Sequence, residues 1–141
     1  ASRRINNAMG SYVADRVIRL MMQNDVAVNN AKVLVLGLTF KENCPDLRNS
    51  RVIDVVNEFT GLGMNVDVFD PWADLEQAKS AYNITLTDQP EKNAYDAIVL
   101  TVAHEAFKTL GASEIRKWGK GTHVLFDTKG ALPGHAVDGR L

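Results

Sequence analysis

The sequence predicts an α/β fold, a mostly parallel sheet flanked by helices and preceded by one long helix. Two short runs, Val33-Leu34-Val35-Leu36 and Ala97-Ile98-Val99-Leu100, are apolar on both faces, as in strands covered on both sides of a parallel sheet. Between them lie stretches whose apolar residues recur three and four apart, the period of a helix. Strands alternating with helices require right-handed crossovers, and such sheets gather ligands at the carboxyl ends of their strands.

Taken in order, residues 3–23 place Ile5, Met9, Tyr12, Val13, Val17, Leu20 and Met21 on one face, with Arg4, Asp15, Arg16 and Arg19 between them, and predict an amphipathic helix. Gly10 inside it costs about 1 kcal/mol relative to Ala, which the periodicity outweighs. Residues 32–36 predict the first strand, bounded by Asn29-Asn30 and Gly37. Residues 50–60 set Val52, Ile53, Val56 and Phe59 on one helical face, with Asn49 or Ser50 as cap and Gly61 and Gly63 as stop. Residues 65–69 form a second strand ended by Asp70-Pro71, and a short polar helix follows over 74–82. Beyond it come a minor extended piece at 84–86, a buried strand at 97–102, a helix or turn at 105–109, a helical piece at 114–117 and a strand at 123–126.

Composition narrows the function classes. With 141 residues, 45% hydrophobic and 23% charged, the chain has the makings of one folded core. Sixteen Lys+Arg against seventeen Asp+Glu give a net charge of -1, so no global positive field draws in nucleic acid or an anionic membrane. The lone Cys44 has no partner for an internal disulfide, and no Cys/His cluster has metal-ligand spacing; a reducing, cytoplasmic setting is expected, with no bound metal. The apolar runs are strand-sized, far from the roughly 20 residues that span a bilayer. The start, Ala1-Ser2-Arg3-Arg4, lacks an initiator Met and a signal peptide, so the chain reads as a fragment of something longer.

Chemistry is expected where the strands end. The loops Gly37-Leu38-Thr39-Phe40-Lys41, Asp70-Pro71-Trp72 and Thr101-Val102-Ala103-His104, together with Asp127-Thr128-Lys129-Gly130, meet at one crevice if the topology is right. Gly37 permits close approach of backbone to ligand, and Lys41 offers a charge for a phosphate or carboxylate. On spacing alone, a turning glycine and a solvated lysine serve as well. The loop is not G-x-G-x-x-G, which argues against a self-contained NAD site. Asp46 and Arg48 are spaced to pair across a turn and stiffen the loop. Cys44 has no evident activating base, and of His104, His123 and His135 only His104 lies on the ligand edge. Trp72 and Trp118 suit core or rim packing.

Residues 33–50 read V-L-V-L-G-L-T-F-K-E-N-C-P-D-L-R-N-S. This stretch closely resembles the strand-to-helix signature that opens the C-terminal, UDP-binding domain of the UDP-glucose/GDP-mannose dehydrogenase family. Arg4-Ile5-Asn6-Asn7 and Tyr12-Val13 resemble the end of that family's dimerisation region and connecting helix, Val68-Phe69-Asp70-Pro71 its second strand, and Asp127-Thr128-Lys129-Gly130 its closing strand and turn. The K-E-N-x-x-D-x-R-N-S form is more similar to the branch acting on UDP-N-acetylhexosamines for surface polysaccharides than to the UDP-glucose branch. The resemblance implies a Rossmann-like domain over 26–141 behind a connecting and dimerising helix over 1–25.

The family resemblance also implies a chemistry: four-electron oxidation of a nucleotide sugar's C6 alcohol to a carboxylate, with two NAD and a thioester on a catalytic cysteine. The NAD fold and that cysteine lie upstream of the connecting helix in the family, so this stretch alone is expected to be inactive and to bind no cofactor of its own. Cys44 does not match the nucleophile's glycine-rich context. The residues that carry over as substrate-binding are Phe40, Lys41 and Lys129, the last matching a position often occupied by arginine. Gly37, Asp46, Arg48 and His104 are expected at the pocket edge or in loop support. Three alternatives stay open: a UDP-glucose or UDP-N-acetylmannosamine 6-dehydrogenase, an assembly module whose long helix packs on a twin to form a homodimer, and a free-standing nucleotide binder.

Overall fold

Five parallel strands form the sheet of the computed structural model, which describes residues 2–141, with side chains from residue 9 onward. Arg4, Ile5, Asn6 and Asn7, which carry part of the resemblance, have side chains outside the described residues. The order of elements is α1 (Ser2–Gln23), β1 (Lys32–Leu36), α2 (Val52–Gly61), β2 (Asn65–Phe69), α3 (Leu75–Tyr82), β3 (Tyr95–Leu100), α4 (Glu105–Ile115), β4 (Gly119–Asp127) and β5 (Gly139–Arg140). The strands lie in the order β2-β1-β3-β4-β5.

Alternation along the strands sorts the core into two layers. Val33, Val35, Ala97, Val99, Val124 and Phe126 face α1 and α2, whereas Leu34, Leu36, Ile98, Leu100 and Leu125 face α4, Trp118 and Leu132. Both faces are covered, so the central strands need no polar residue, and this is why their apolar runs are continuous.

The long helix packs on the sheet and on α2. Val13, Ala14, Val17 and Met21 are buried against α2 and the sheet, and burying a Val or Met side chain is worth about 1.5–3 kcal/mol. The apolar face that the sequence offers to a twin is thus largely spent inside the chain. Among the described residues of α1, the large apolar ones left exposed are Met9, Tyr12 and Met22.

Gly10 has a purpose that periodicity hides. A β-carbon there would stand 2.8 Å from the carbonyl oxygen of Asp54, in α2, so the glycine lets the two helices touch. Gly10→Ala, which in an open helix gains about 1 kcal/mol, is expected to cost about 1–3 kcal/mol here by overpacking. Urea unfolding of the two proteins checks this, and a stabilised variant would show that the helices separate without penalty.

Several boundaries differ from the sequence reading. The second helix starts at Val52, and neither Asn49 nor Ser50 caps it: Asn49 turns with φ 61°, and the Ser50 hydroxyl donates to the Leu38 carbonyl at 2.5 Å. Residues 84–86 form no strand, although Thr87 N–H donates to Val68 O at 2.7 Å beside the edge of β2. Strand β3 ends at Leu100 because the Thr101 hydroxyl turns back onto the Leu36 and Gly37 carbonyls. The two helical pieces expected after it lie on either side of Gly111, whose φ of 81° and ψ of 162° break the α4 span, and a 3-10 turn over Arg116–Trp118 follows the second. Strand β5 has two residues and no periodicity to announce it. Among the described residues no helix is long and apolar enough to cross a membrane.

Candidate functional site

The chain leaves β1 toward β2 on one side and returns to β3 on the other, so the loops after β1 and β3 diverge at the carboxyl edge. A strand-order reversal of this kind opens a crevice for ligands. The crevice here holds a cavity of about 250 Å3. Thr39 and Phe40 from the first loop, Thr101 and Val102 from the third, and Thr128 and Lys129 after β4 line it on the sheet side. Met9 and Val13 of α1, Arg51, Val52 and Val55 at the start of α2, and Leu141 complete the wall. The lining is mostly apolar, with hydroxyls at the strand ends and two cations, Arg51 and Lys129. A planar apolar group with an anionic neighbour fits such a surface.

Beneath the crevice a buried carboxylate ties the loops together. Asp70 Oδ2 accepts from Leu38 N–H at 2.7 Å and Thr39 N–H at 3.0 Å, and Oδ1 accepts from Trp72 N–H at 2.7 Å and Ala73 N–H at 3.2 Å. His104 Nε2 lies 3.0 Å from the same Oδ2 and 3.2 Å from Thr39 Oγ1, and its Nδ1 accepts from Asn43 N–H at 2.9 Å. An amide can only donate, so Nδ1 is the bare nitrogen and Nε2 carries the proton. Burial pushes the Asp70 carboxyl up, but the hydrogen bonds from His104, Leu38 and Thr39 outweigh it and hold the group below its ordinary value.

The expected site residues fall in four places. Phe40 and Lys129 line the cavity, and Gly37 lies under it at the turn out of β1. Lys41 is exposed on the same loop, outside the cavity lining, and its carbonyl accepts the Thr39 hydroxyl at 3.0 Å. Asp46 and Arg48 sit farther out: Arg48 donates from Nε at 3.1 Å and from its amide at 2.9 Å to Asp46 Oδ1, and this lowers the Asp46 carboxyl. Asp46 O also accepts Phe40 N–H at 2.7 Å, which closes the loop on itself. His104 is fully buried rather than on the ligand edge, because three partners and the rings of Phe107 and Trp72 enclose it. Trp72 is 44% exposed, and Trp118 packs edge-on against Phe69.

Sequence reasoning put Thr101, Thr128 and Asp70 in the crevice loops and read Arg51 with Asp46 and Arg48 as loop pairing, but it assigned neither the cavity-lining places of Arg51, Thr101 and Thr128 nor the buried role of Asp70. A basic residue at the start of a helix that follows a strand-end loop is a usable signal for Arg51. For Asp70 the signal is an acid directly after a strand and before proline, where side-chain oxygens reach turn amides.

The sequence model of the UDP-glucose/GDP-mannose dehydrogenase family, UDP binding domain, matches residues 34–134. The UDP-N-acetyl-D-glucosamine 6-dehydrogenase of Pseudomonas aeruginosa is 49% identical over all 141 residues, and that of Salmonella typhi 45%. This chain spans 33% of the length of each. Among solved structures, the UDP-N-acetyl-mannosamine dehydrogenase of Staphylococcus aureus superimposes with a TM-score of 0.69 at 27% identity, covering 94% of this chain and 29% of that one.

Proposed function

This chain belongs to the UDP-glucose/GDP-mannose dehydrogenase family, matching its UDP binding domain, and on that premise we propose that it holds the UDP half of a UDP-N-acetylhexosamine in a 6-dehydrogenase that makes the corresponding uronic acid for surface polysaccharide. The observation that carries the proposal is the crevice between β1 and β3, where an apolar floor meets Arg51 and Lys129. Phe40 and the valines take the flat base or the ribose, and the cations take negative charge. Lys41, exposed on the rim, meets phosphate from outside. At about 250 Å3 the cavity is small beside ligand pockets of about 300–1,000 Å3, so the sugar end extends toward the rest of the enzyme. Holding one end of the substrate fixes where the other reacts, and such positioning supplies several kcal/mol of barrier lowering, up to about 7–11 kcal/mol.

NAD is the hydride acceptor this reaction needs, and its site belongs to the rest of the enzyme. Two observations support that placing. The loop after β1 has one glycine, and the space a β-carbon would fill there is taken by Val102, 2.6 Å away. The acid at the end of β2, which in a dinucleotide fold accepts a ribose hydroxyl, is here Asp70, buried and saturated by loop amides.

Titration calorimetry of this chain with UDP, with AMP as control, tests the reading. UDP is expected to bind and AMP to bind at least tenfold more weakly, and Lys129→Ala and Lys41→Ala each to lose about three- to tenfold in UDP affinity, the worth of one partly exposed charge contact. Equal binding of UDP and AMP, or none of either, would refute it. Turnover of UDP-N-acetylglucosamine against UDP-glucose by the full-length enzyme then distinguishes the substrate branch.

A further inference from the structure

We propose that His104 is the positioning residue of this site: it holds the loop over residues 38–50 in the shape that presents Phe40 and Lys41 to a nucleotide. The inference rests on the UDP reading above and assigns that site a control point. Burial does not fix the two loop residues, since Phe40 is 51% exposed and Lys41 is exposed too. Their backbone is fixed from below.

The imidazole reaches the loop at two points, one on each side of Phe40-Lys41. Before them, Nε2–H meets Thr39 Oγ1 at 3.2 Å, while the Thr39 hydroxyl sends its own proton to the Lys41 carbonyl at 3.0 Å. After them, Nδ1 accepts Asn43 N–H at 2.9 Å. Asn43 passes the constraint on, since its Oδ1 accepts the first amide of α4, Glu105 N–H, at 2.9 Å. Asp70 grips only the start of the loop, at Leu38 and Thr39. His104 therefore links the outgoing limb, the returning limb and the end of β3, and a ring with one donor and one acceptor nitrogen is what this linkage requires.

Two substitutions separate its two bonds. In His104→Asn the amide oxygen comes near the place of Nδ1, keeps an acceptor for Asn43 N–H and gives up Asp70. In His104→Gln the amide NH2 comes near the place of Nε2, keeps a donor for Asp70 and Thr39 and gives up Asn43. Both are expected to lower the melting temperature to a similar degree. UDP affinity of this chain, by calorimetry, is expected to fall about tenfold in His104→Gln and less than about threefold in His104→Asn, the difference being the lost hold on the returning limb. In the full-length enzyme the same order should be seen in KM for the nucleotide sugar, with kcat moved less. Affinity losses that are equal in the two variants, that follow the melting temperatures, or that are absent from both would overturn the role of His104 alone. A wild-type chain that does not bind UDP would overturn the nucleotide reading itself, and this inference with it.

Discussion

Replacing Asp70 with alanine is expected to cost about 3–5 kcal/mol of stability at neutral pH and to lower the melting temperature by roughly 10–15 °C. The magnitude follows from what one carboxylate satisfies. Four backbone amides and the His104 ring point at it, and the side chain has no exposed surface through which water would replace it. An unsatisfied buried donor costs about 1–3 kcal/mol, and some relaxation of the loops keeps the total below the sum. Asp70→Asn is no remedy, because its NH2 group must face donors on one side. It is expected to lose more than half as much as the alanine variant.

The effect depends on pH in a stated direction. The Asp70 carboxyl lies below its ordinary value in the folded chain, so its contribution is complete above the unfolded value of about 3.9 and is lost as pH falls through the folded one. The stability gap between wild type and Asp70→Ala should stay constant from neutral pH to about pH 5 and narrow below about pH 4. Urea unfolding at several pH values measures it. A gap below 1 kcal/mol at pH 7, or one that widens in acid, would contradict the network described here.

This network also marks how far the sequence can be read. Lys32–Leu36 and Asn65–Phe69 are legible to the residue, the first as an apolar run between turn residues and the second as an alternating Asn-Val-Asp-Val-Phe stretch stopped by Asp70-Pro71. Leu75–Tyr82 is nearly so, since Asp74 caps it through Gln77 N–H at 2.9 Å and Asn83 ends it in a left-handed turn. The meeting of strand-end loops at one crevice also follows from alternation alone. What escapes is anything set by contact between distant segments. Gly10 looks like a cost until Asp54 is seen against it, 44 residues on. His104 looks like a ligand-edge residue because its position at a strand end is right. Its orientation, decided by Asp70 and Asn43, is not encoded nearby. The apolar stripe of α1 fits a twin or its own sheet equally well by pattern, and only the structure shows that Val13, Val17 and Met21 pack on the chain's own core. Arg51 lines the cavity from the N-cap position of α2, which starts two residues later than the expected 50–60.

Gly37→Ala is the second large effect expected, about 3–5 kcal/mol of lost stability together with loss of measurable UDP binding. Two penalties combine at this position. Its φ of 108° lies in the region that side chains rarely adopt, and a β-carbon would stand 2.6 Å from Val102 Cβ and 2.9 Å from Val102 N. Neither partner can withdraw easily. Val102 is 3% exposed, and its loop is pinned by the Thr101 hydroxyl to the Gly37 carbonyl at 2.7 Å while Gly37 N–H is held by Phe69 O at 2.9 Å. Relief must therefore push the loops after β1 and β3 apart, and both loops line the cavity. The clash has a signature that separates it from general destabilisation. Val102→Ala removes only the contact to Cγ2 at 2.9 Å and keeps the nearer β-carbon, so it should rescue little. Val102→Gly removes it, so Gly37→Ala/Val102→Gly should be more stable than the sum of the single effects by about 1–2 kcal/mol, with the strained φ and the contact to Val102 N left unrelieved. A double-mutant cycle by urea unfolding reads that coupling. Strict additivity would mean that Gly37 is required for its backbone angle alone, and that the width of the crevice is not set by the contact between these two loops.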